Sequence, residues 1–440
     1  MVPYRVLVVD DSAFMRKIVT DLIVQDPQFM VVATASNGIE AVEAVKEFRP
    51  DAVTMDLEMP LMNGLEALQH IMLSHPTPVI MLSGISEAHT KETIKALQYG
   101  AFDFIYKPST DLSNSIKQVG EQLLQKLQIA VLTQRHRLKS AVIKPKQTAV
   151  SAKPNDIQPE ARSLSEQVAN TPNKARSSSS ESLLTPKKHD ALHKPTEKQA
   201  FRPVVSNKKD ESQASNILKP MSKAKTQSLI ADQPANAPIK KGRTADGRSF
   251  QQLIAIGTST GGPRALHEVI SALPGNLPAP VLVVQHMPAK FTKSLAQRLD
   301  SFSELRVVEA AHGDPLEAGV VYIAPGGFHM ELAKNNDGYS VVLTQQPPRN
   351  GHRPSVDMLF ESLTPFPELK RHAVIMTGMG SDGALGLKRL MESGGETAIA
   401  EAEESCIVFG MPRAAIELGC VKKIVPLQHI AAHIVQAVMK

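Results

Sequence analysis

Cysteine is almost missing from this 440-residue chain, which has only Cys406 and Cys420. Two cysteines supply no disulfide framework, so the composition fits a reducing compartment. No apolar run approaches the length of a membrane span, which argues against an inserted helix. The opening Met1-Val2-Pro3-Tyr4-Arg5 passes at once into a strand pattern without a signal-peptide profile, so the expected location is cytoplasmic. A helix-turn-helix segment and a basic reading helix are both wanting, which sets nucleic-acid binding aside despite a formal charge of +5 and a pI near 9.0. No pair among His312, His329, His352, His372, His429 and His433 has zinc-ligand spacing; most of these read as surface or loop residues.

What is present is ample for folding: 42% hydrophobic and 21% charged residues suffice for two or three domains with cores of their own. The excess lysine lies mainly between Arg137 and Gly247, a stretch dense in Lys, Ser, Gln, Pro and Ala that includes Ser177-Ser178-Ser179-Ser180. With no sustained hydrophobic period it cannot offset the entropy of ordering, and a long disordered linker is expected there. The division that follows is 1–130, a linker over 131–247, and 248–440. The two flanking regions show no internal repeat.

The first region alternates strand and helix. Arg5 to Val9 is a buried-strand pattern; Phe14, Ile18 and Leu22 share a helical face; Val31 to Ala35 is extended; Ala41, Val45 and Phe48 return to helical spacing. Three further units follow, with strands ending at Asp56, Ser83 and Lys107, and a closing helix marked by Leu112, Ile116, Val119, Leu123 and Leu127. A five-stranded doubly wound α/β sheet is the economical assembly, and such sheets put function at the carboxyl ends of their strands. Asp10, Asp11 and Asp56 gather at that edge. Carboxylates so crowded need a cation, and an all-oxygen site suits hydrated Mg²⁺. One carboxylate can take a phosphoryl group, with Lys107 neutralising one of its oxygens and the Ser83 hydroxyl bonding another. Taken singly, Asp11 or Ser12 reads equally as a helix cap, Asp56 as a turn residue and Lys107 as solvated.

The third region opens on Gly257-Thr258-Ser259-Thr260-Gly261-Gly262, directly after the apolar Leu253 to Ile256 and before a helical pattern begun by Pro263. A serine held on such a bend can act as a nucleophile, with nearby N–H groups free for an oxyanion. A dinucleotide loop would need glycine where Ser259 stands, and a capping turn is the plainer alternative. Two more strands end in polar residues. Pro280 to Gln285 leads to His286, and Ala373 to Thr377 leads to Gly378-Met379-Gly380-Ser381-Asp382-Gly383. In a second doubly wound sheet Ser259, His286 and Asp382 can meet as nucleophile, base and the group that orients the base. Their order along the chain differs from that of the usual α/β-hydrolases. His352, beside an Arg353 able to attract an acidic substrate, competes with His286 as the base. Cys406, in a strand-like run, and Cys420, after Gly419, read as packing; Asn336-Asp337-Gly338 reads as a hairpin turn.

Residues 1 to about 130 resemble a response-regulator receiver domain through Asp10-Asp11, Asp56-Leu57-Glu58-Met59-Pro60 with Gly64, Ser83-Gly84 and Lys107-Pro108. That resemblance implies Asp56 as phosphoacceptor, Mg²⁺ held by Asp11, Asp56 and the Glu58 carbonyl with Asp10 assisting through water, and Phe104 as the switch aromatic. The last 190 or so residues resemble the catalytic domain of the chemotaxis protein-glutamate methylesterases, the CheB family. They do so through Gly257 to Gly262, Gln285-His286-Met287-Pro288, Ala324-Pro325-Gly326, His352 to Asp357, Gly378 to Gly383 and Phe409-Gly410-Met411-Pro412. This implies a Ser259, His286, Asp382 triad, oxyanion donors around Thr260 and Met379, and no cofactor for hydrolysis. It further implies methylated chemoreceptors as substrate, with some members also deamidating receptor glutamine, a histidine kinase as phosphodonor, and a receiver that covers the esterase cleft until phosphorylated.

Overall fold

The structure is a computed structural model that describes residues 2–84, 86–107, 113–143, 250–336 and 338–439. Residues 144–249, which hold most of the expected linker, and Pro108, Leu112 and Asp337 lie outside the described residues. In the N-terminal region the elements are β1 (Tyr4–Val9), α1 (Ala13–Ile23), β2 (Phe29–Ala35), α2 (Gly38–Phe48), β3 (Ala52–Asp56), α3 (Gly64–Ser74), β4 (Val79–Ser83), α4 (Glu87–Gln98), β5 (Asp103–Tyr106) and α5 (Ser113–Ile143). The five strands form one parallel sheet in the order β2-β1-β3-β4-β5. Strands β3 and β4 are buried along their whole length, as expected of parallel strands covered on both faces. Side-chain caps start the helices: Ser12 bonds Met15 N–H, Asn37 bonds Glu40 N–H, and Asn63 with Glu66 forms a reciprocal capping box.

Helix α5 passes the expected boundary at 130. It buries Leu127, Ala130 and Val131 and continues to Ile143, so the chain is helical where the linker was expected to begin. The physical reason is local: no glycine or proline interrupts 121–143, and a helix already anchored by packing extends at the cost of about one residue's ordering per added hydrogen bond.

The C-terminal region begins with β6 (Gln252–Thr258), α6 (Gly262–Ser271), β7 (Val281–Gln285), α7 (Phe291–Asp300), β8 (Arg306–Glu309) and β9 (Val320–Ile323). There follow β10 (His329–Asn335), β11 (Gly338–Thr344), α8 (Val356–Ser362), β12 (Lys370–Ile375), α9 (Ala384–Glu392), β13 (Thr397–Glu401), α10 (Met411–Glu417), β14 (Lys423–Val425) and α11 (Leu427–Val438). Seven strands make a parallel sheet in the order β14-β13-β12-β6-β7-β9-β8, while β10 and β11 pair as an antiparallel hairpin. Helices α6 and α11 cover one face and α8, α9 and α10 the other, the doubly wound arrangement that the strand and helix pattern predicts. Chain order reverses at β6, which has β7 on one side and β12 on the other, the kind of place where open sheets part and hold a site.

Two details depart from expectation. Cys406 is buried, as a packing residue should be, but it lies in a turn after β13, where its thiol donates to the Glu401 carbonyl. In the run Ser405 to Phe409 the Val408 N–H donates to Thr377 Oγ1, and an isolated bridge from Phe409 to Gly378 stands where a strand was expected. His329 and His372 are buried strand residues, not surface ones. Their rings are accommodated by polar partners, Pro347 O for His329, and Thr397 and Gln252 for His372.

Candidate functional site

Both predicted edges form. In the N-terminal sheet Val9 of β1 lies opposite Met55 of β3, so Asp10 and Asp56 emerge side by side at the carboxyl end. Ligand oxygens of Asp10, Asp11 and Asp56 all lie within 4.8 Å of one another. Lys107 Nζ enters from the end of β5, 2.7 Å from Asp56 Oδ2 and 3.1 Å from Asp10 Oδ2. Burial pushes the Asp56 carboxyl up, against the lowering pull of Lys107. For Lys107, burial works against the charge, but its bonds to Asp56 and Asp10 prevail and raise its pKa. Asp10 Oδ2 is buried with the Lys107 ammonium as its neighbour, and with three carboxylates so close the donor set fits a hard divalent cation.

Three residues assigned to this edge are engaged elsewhere in this conformation. Ser83 is fully buried, its hydroxyl 2.7 Å from that of Thr93 and donating to Gly84 O. The Glu58 side chain pairs with His89 Nε2 at 2.7 Å, which leaves only its backbone carbonyl for the cation site. Phe104, 8% exposed, stacks on Phe291 of α7 with ring centroids 4.5 Å apart and meets Tyr106 edge-on.

At the second edge, Thr258 pairs with Gln285 across β6 and β7, so Ser259 and His286 leave adjacent strands together. Asp382 reaches them from the turn after β12, on the other side of β6. His286 Nε2 lies 2.8 Å from Asp382 Oδ2, with both side chains at most 5% exposed. The ring nitrogen left over is Nδ1, buried and bonded to no protein group; in the familiar serine-protease triad the two nitrogens have the opposite roles. Ser259 is 9% exposed.

Backbone packing fixes this corner. Gly261 sits at φ +82 and turns the chain into α6. A Cβ on Gly378 would lie 2.8 Å from Ser259 Cβ, so only glycine lets the Gly378 to Gly383 turn come this close to the serine. The bonded N–H groups of Ser259, to Thr377 O, and of Gly378, to Val408 O, precede the two candidate oxyanion donors, Thr260 and Met379.

Asp382 is held more tightly than its sequence suggests. Ser355 Oγ and Asn350 Nδ2 donate to Oδ1 at 2.8 and 2.9 Å, and the N–H of Val356 donates to Oδ2 at 2.6 Å. Burial would raise its carboxyl, but the bonds to His286, Val356 and Asn350 hold it well below the usual carboxylate range. Asn350, at φ +53, also bonds Asp357, and its only sequence signal is that asparagine tolerates such a turn. Gln285 was likewise unassigned; its amide donates to Ser259 O and accepts from Thr258 Oγ1, fastening the serine bend to β7. His352 lies flat on His286, with centroids 3.7 Å apart and ring planes 5° from parallel. Burial first, then the nearby His286, pushes its pKa down to about 4. Arg353 Nη1 donates to Gln345 O and Gln346 O.

The two edges are joined through one stretch of chain. Asp103, at the start of β5, accepts Lys126 Nζ on Oδ1 and the Thr260 hydroxyl on Oδ2 at 2.8 Å. Phe102 and Ala130 pack with Val408, against which Ile407 and Met379 also lie. Around them, Thr90 bonds Ser294, and Arg298 bonds Gln98.

The sequence matches the family described as CheB methylesterase over residues 254–434 and that described as response regulator receiver domain over residues 6–120. It is 41% identical over 434 residues to the protein-glutamate methylesterase/protein-glutamine glutaminase of Geobacillus kaustophilus strain HTA426, covering 99% of this chain and 98% of that one. To the protein of the same name from Bacillus subtilis strain 168 it is 37% identical over 436 residues, covering 99% of each. Among solved structures, the Thermotoga maritima CheB methylesterase catalytic domain is 45% identical, covering 43% of this chain and 99% of that one, with a TM-score of 0.42. The response regulator domain of Thermotoga maritima CheB is 49% identical, covering 29% and 96%, with a TM-score of 0.27.

Proposed function

Because this chain belongs to the family of protein-glutamate methylesterases/protein-glutamine glutaminases that carry a receiver domain, we propose that it removes methyl groups from glutamate side chains of chemoreceptors under phosphorylation control. The observation that carries this reading is the His286–Asp382 pair beside Ser259, on three adjacent parallel strands. Ser259 Oγ attacks the ester carbonyl while His286 takes its proton at Nδ1, the nitrogen that Asp382 leaves free. The C–O bond to the methyl oxygen then breaks, and methanol leaves with that proton. Water, deprotonated by the same nitrogen, attacks the acyl-serine, and the receptor carboxylate and free Ser259 result. The N–H groups of Thr260 and Met379 would hold the oxyanion in both steps. A glutamine side chain follows the same course with ammonia as the leaving group. Asp382 keeps Nε2 protonated and steadies the imidazolium, and hydrolysis needs no cofactor.

Control belongs to the other edge. Asp10, Asp11, Asp56 and the Glu58 carbonyl would hold Mg²⁺, which when bound neutralises a phosphoryl group's oxygens. Asp56 takes the phosphoryl group from a histidine kinase and Lys107 pairs with it. Ser83 would have to leave Thr93 to reach a phosphoryl oxygen. The Asp103 and Phe104 contacts support a receiver that restrains the esterase edge when unphosphorylated. The domain reading of receiver, linker and esterase over 1–130, 131–247 and 248–440 stands with this proposal, the receiver's helix α5 running on to Ile143. A cytoplasmic location is part of it too, supported by a sequence with only two cysteines; no described helix is long and apolar enough to cross a membrane. The test is methanol release from methylated receptor membranes: the wild-type chain should release it and Ser259→Ala should not, whereas a folded Ser259→Ala chain with the wild-type rate would end this reading.

A further inference from the structure

His352 is absorbed by neither half of this mechanism, yet it makes the closest ring contact in the esterase site. Its imidazole covers one face of His286 at 3.7 Å, with the planes 5° apart. Its backbone is fixed from both sides, because Arg349 N–H donates to His352 O and His352 N–H donates to Arg349 O. Arg349 is in turn clamped by both oxygens of Glu361. Three residues further on, the same loop supplies Ser355, which holds Asp382. One loop therefore fixes both neighbours of the base, its acceptor and its stacking partner.

We infer that His352 is a positioning residue for His286, a neutral flat ring that locks the base's plane and faces the positive charge it acquires in each proton transfer. A ring stacked this closely opposes rotation of His286 about its terminal torsion, so Nε2 stays on Asp382 and Nδ1 stays available. Small misorientations of a base are costly, since proton transfer requires a near-attack geometry. A neutral π face also attracts a cation lying over it. The charged and titratable groups facing His352 are His286, Asp382 and Lys126, and burial first, then His286, pushes the partly buried ring's pKa down to about 4. It therefore presents that neutral face at neutral pH.

This inference rests on His286 being the base, and the test separates the two. Full-length wild type, His352→Phe, His352→Leu, His286→Ala and Ser259→Ala chains are assayed for methanol release from methylated receptor membranes, with Mg²⁺ and acetyl phosphate present, across pH. His352→Phe keeps a flat neutral face and should retain activity within about threefold, with the acid limb of kcat/KM in place. His352→Leu should lose roughly tenfold to a hundredfold in kcat with little change in KM. Its acid limb should also move to lower pH, because the imidazolium of His286 has lost a stabilising neighbour. Wild-type behaviour of His352→Leu would overturn the inference. So would equal losses in both variants with an unmoved limb, which mark a purely structural role, or a His352→Phe chain as inactive as His286→Ala, which would make His352 a proton carrier. Activity surviving in Ser259→Ala or His286→Ala would instead overturn the reading on which the inference rests.

Discussion

Asp103→Ala isolates the link between the two edges with one atom group. Its Oδ2 receives the Thr260 hydroxyl at 2.8 Å, one residue from Ser259, and its Oδ1 holds Lys126. A hydrogen bond to a charged acceptor is worth about 1.5–3 kcal/mol, and because Thr260 is partly exposed the lower end applies. Removing about 1.5 kcal/mol from docking shifts the docked-to-open ratio by about tenfold. The Phe104–Phe291 stack and the Thr90–Ser294 bond remain, so the receiver should still dock, only less often. The unphosphorylated full-length variant should then release methanol about tenfold faster than wild type, limited by the fully open rate, while with Mg²⁺ and a phosphodonor the two should agree within about twofold. Methanol release measured in both states decides the matter. An unchanged unphosphorylated rate would refute the coupling through Asp103, and an equal rise in both states would show that the residue acts on chemistry rather than on docking.

Three other outcomes follow from the same structure. Asp382→Asn should lower kcat by about a thousandfold or more, because an amide cannot both accept the Ser355, Asn350 and Val356 donors and hold the His286 N–H. Since the carboxyl of Asp382 is depressed in the fold, its stabilising contribution is present above the ordinary value of about 3.9 and fades as pH falls through its lowered value. The melting difference between wild type and Asp382→Asn should therefore be larger at neutral pH than in strong acid, and a gap that widens on acidification would contradict the sign. Asp56→Asn should abolish the rise in methanol release caused by Mg²⁺ and phosphodonor and leave the basal rate; Mg²⁺ binding itself is best followed by calorimetry or NMR, since the chain has no tryptophan to report it. Arg371→Leu should cost about 3 kcal/mol or more in chemical denaturation, because the buried guanidinium serves the carbonyls of Leu363, Thr364, Leu369 and Ser393, which would lose this donor, Leu363 keeping another in the Phe366 N–H; a midpoint equal to wild type would refute this.

Strand ends were the legible part of this sequence. Asp10, Asp56, Ser83 and Lys107 in one sheet, and Ser259, His286 and Asp382 in the other, follow apolar runs whose length marks parallel strands, and both sets emerge at carboxyl edges. What periodicity could not give is which group each side chain meets. Asn350 and Ser355 hold Asp382 from about 30 residues away, and the Asp103–Thr260 bond spans 157 positions, so no local pattern encodes either contact. Cys406 was misplaced on a strand because an apolar run buried beneath a turn looks the same as one buried in a sheet. The helical continuation to Ile143 was hidden for a related reason: composition reports the absence of a core, whereas a helix seeded by Leu127 and Val131 can run on without one.

The central claim, that Ser259 carries the acyl group, is tested most directly by trapping it. The full-length chain, activated with Mg²⁺ and a phosphodonor, is mixed with a methylated receptor-helix peptide, quenched in acid within the first turnovers, digested and analysed by mass spectrometry. The account predicts a receptor-peptide ester on the fragment containing Ser259, absent from Ser259→Ala and released as carboxylate when the quench is delayed. An ester on any other residue, or full methanol release by the Ser259→Ala chain with no adduct on either protein, would contradict it.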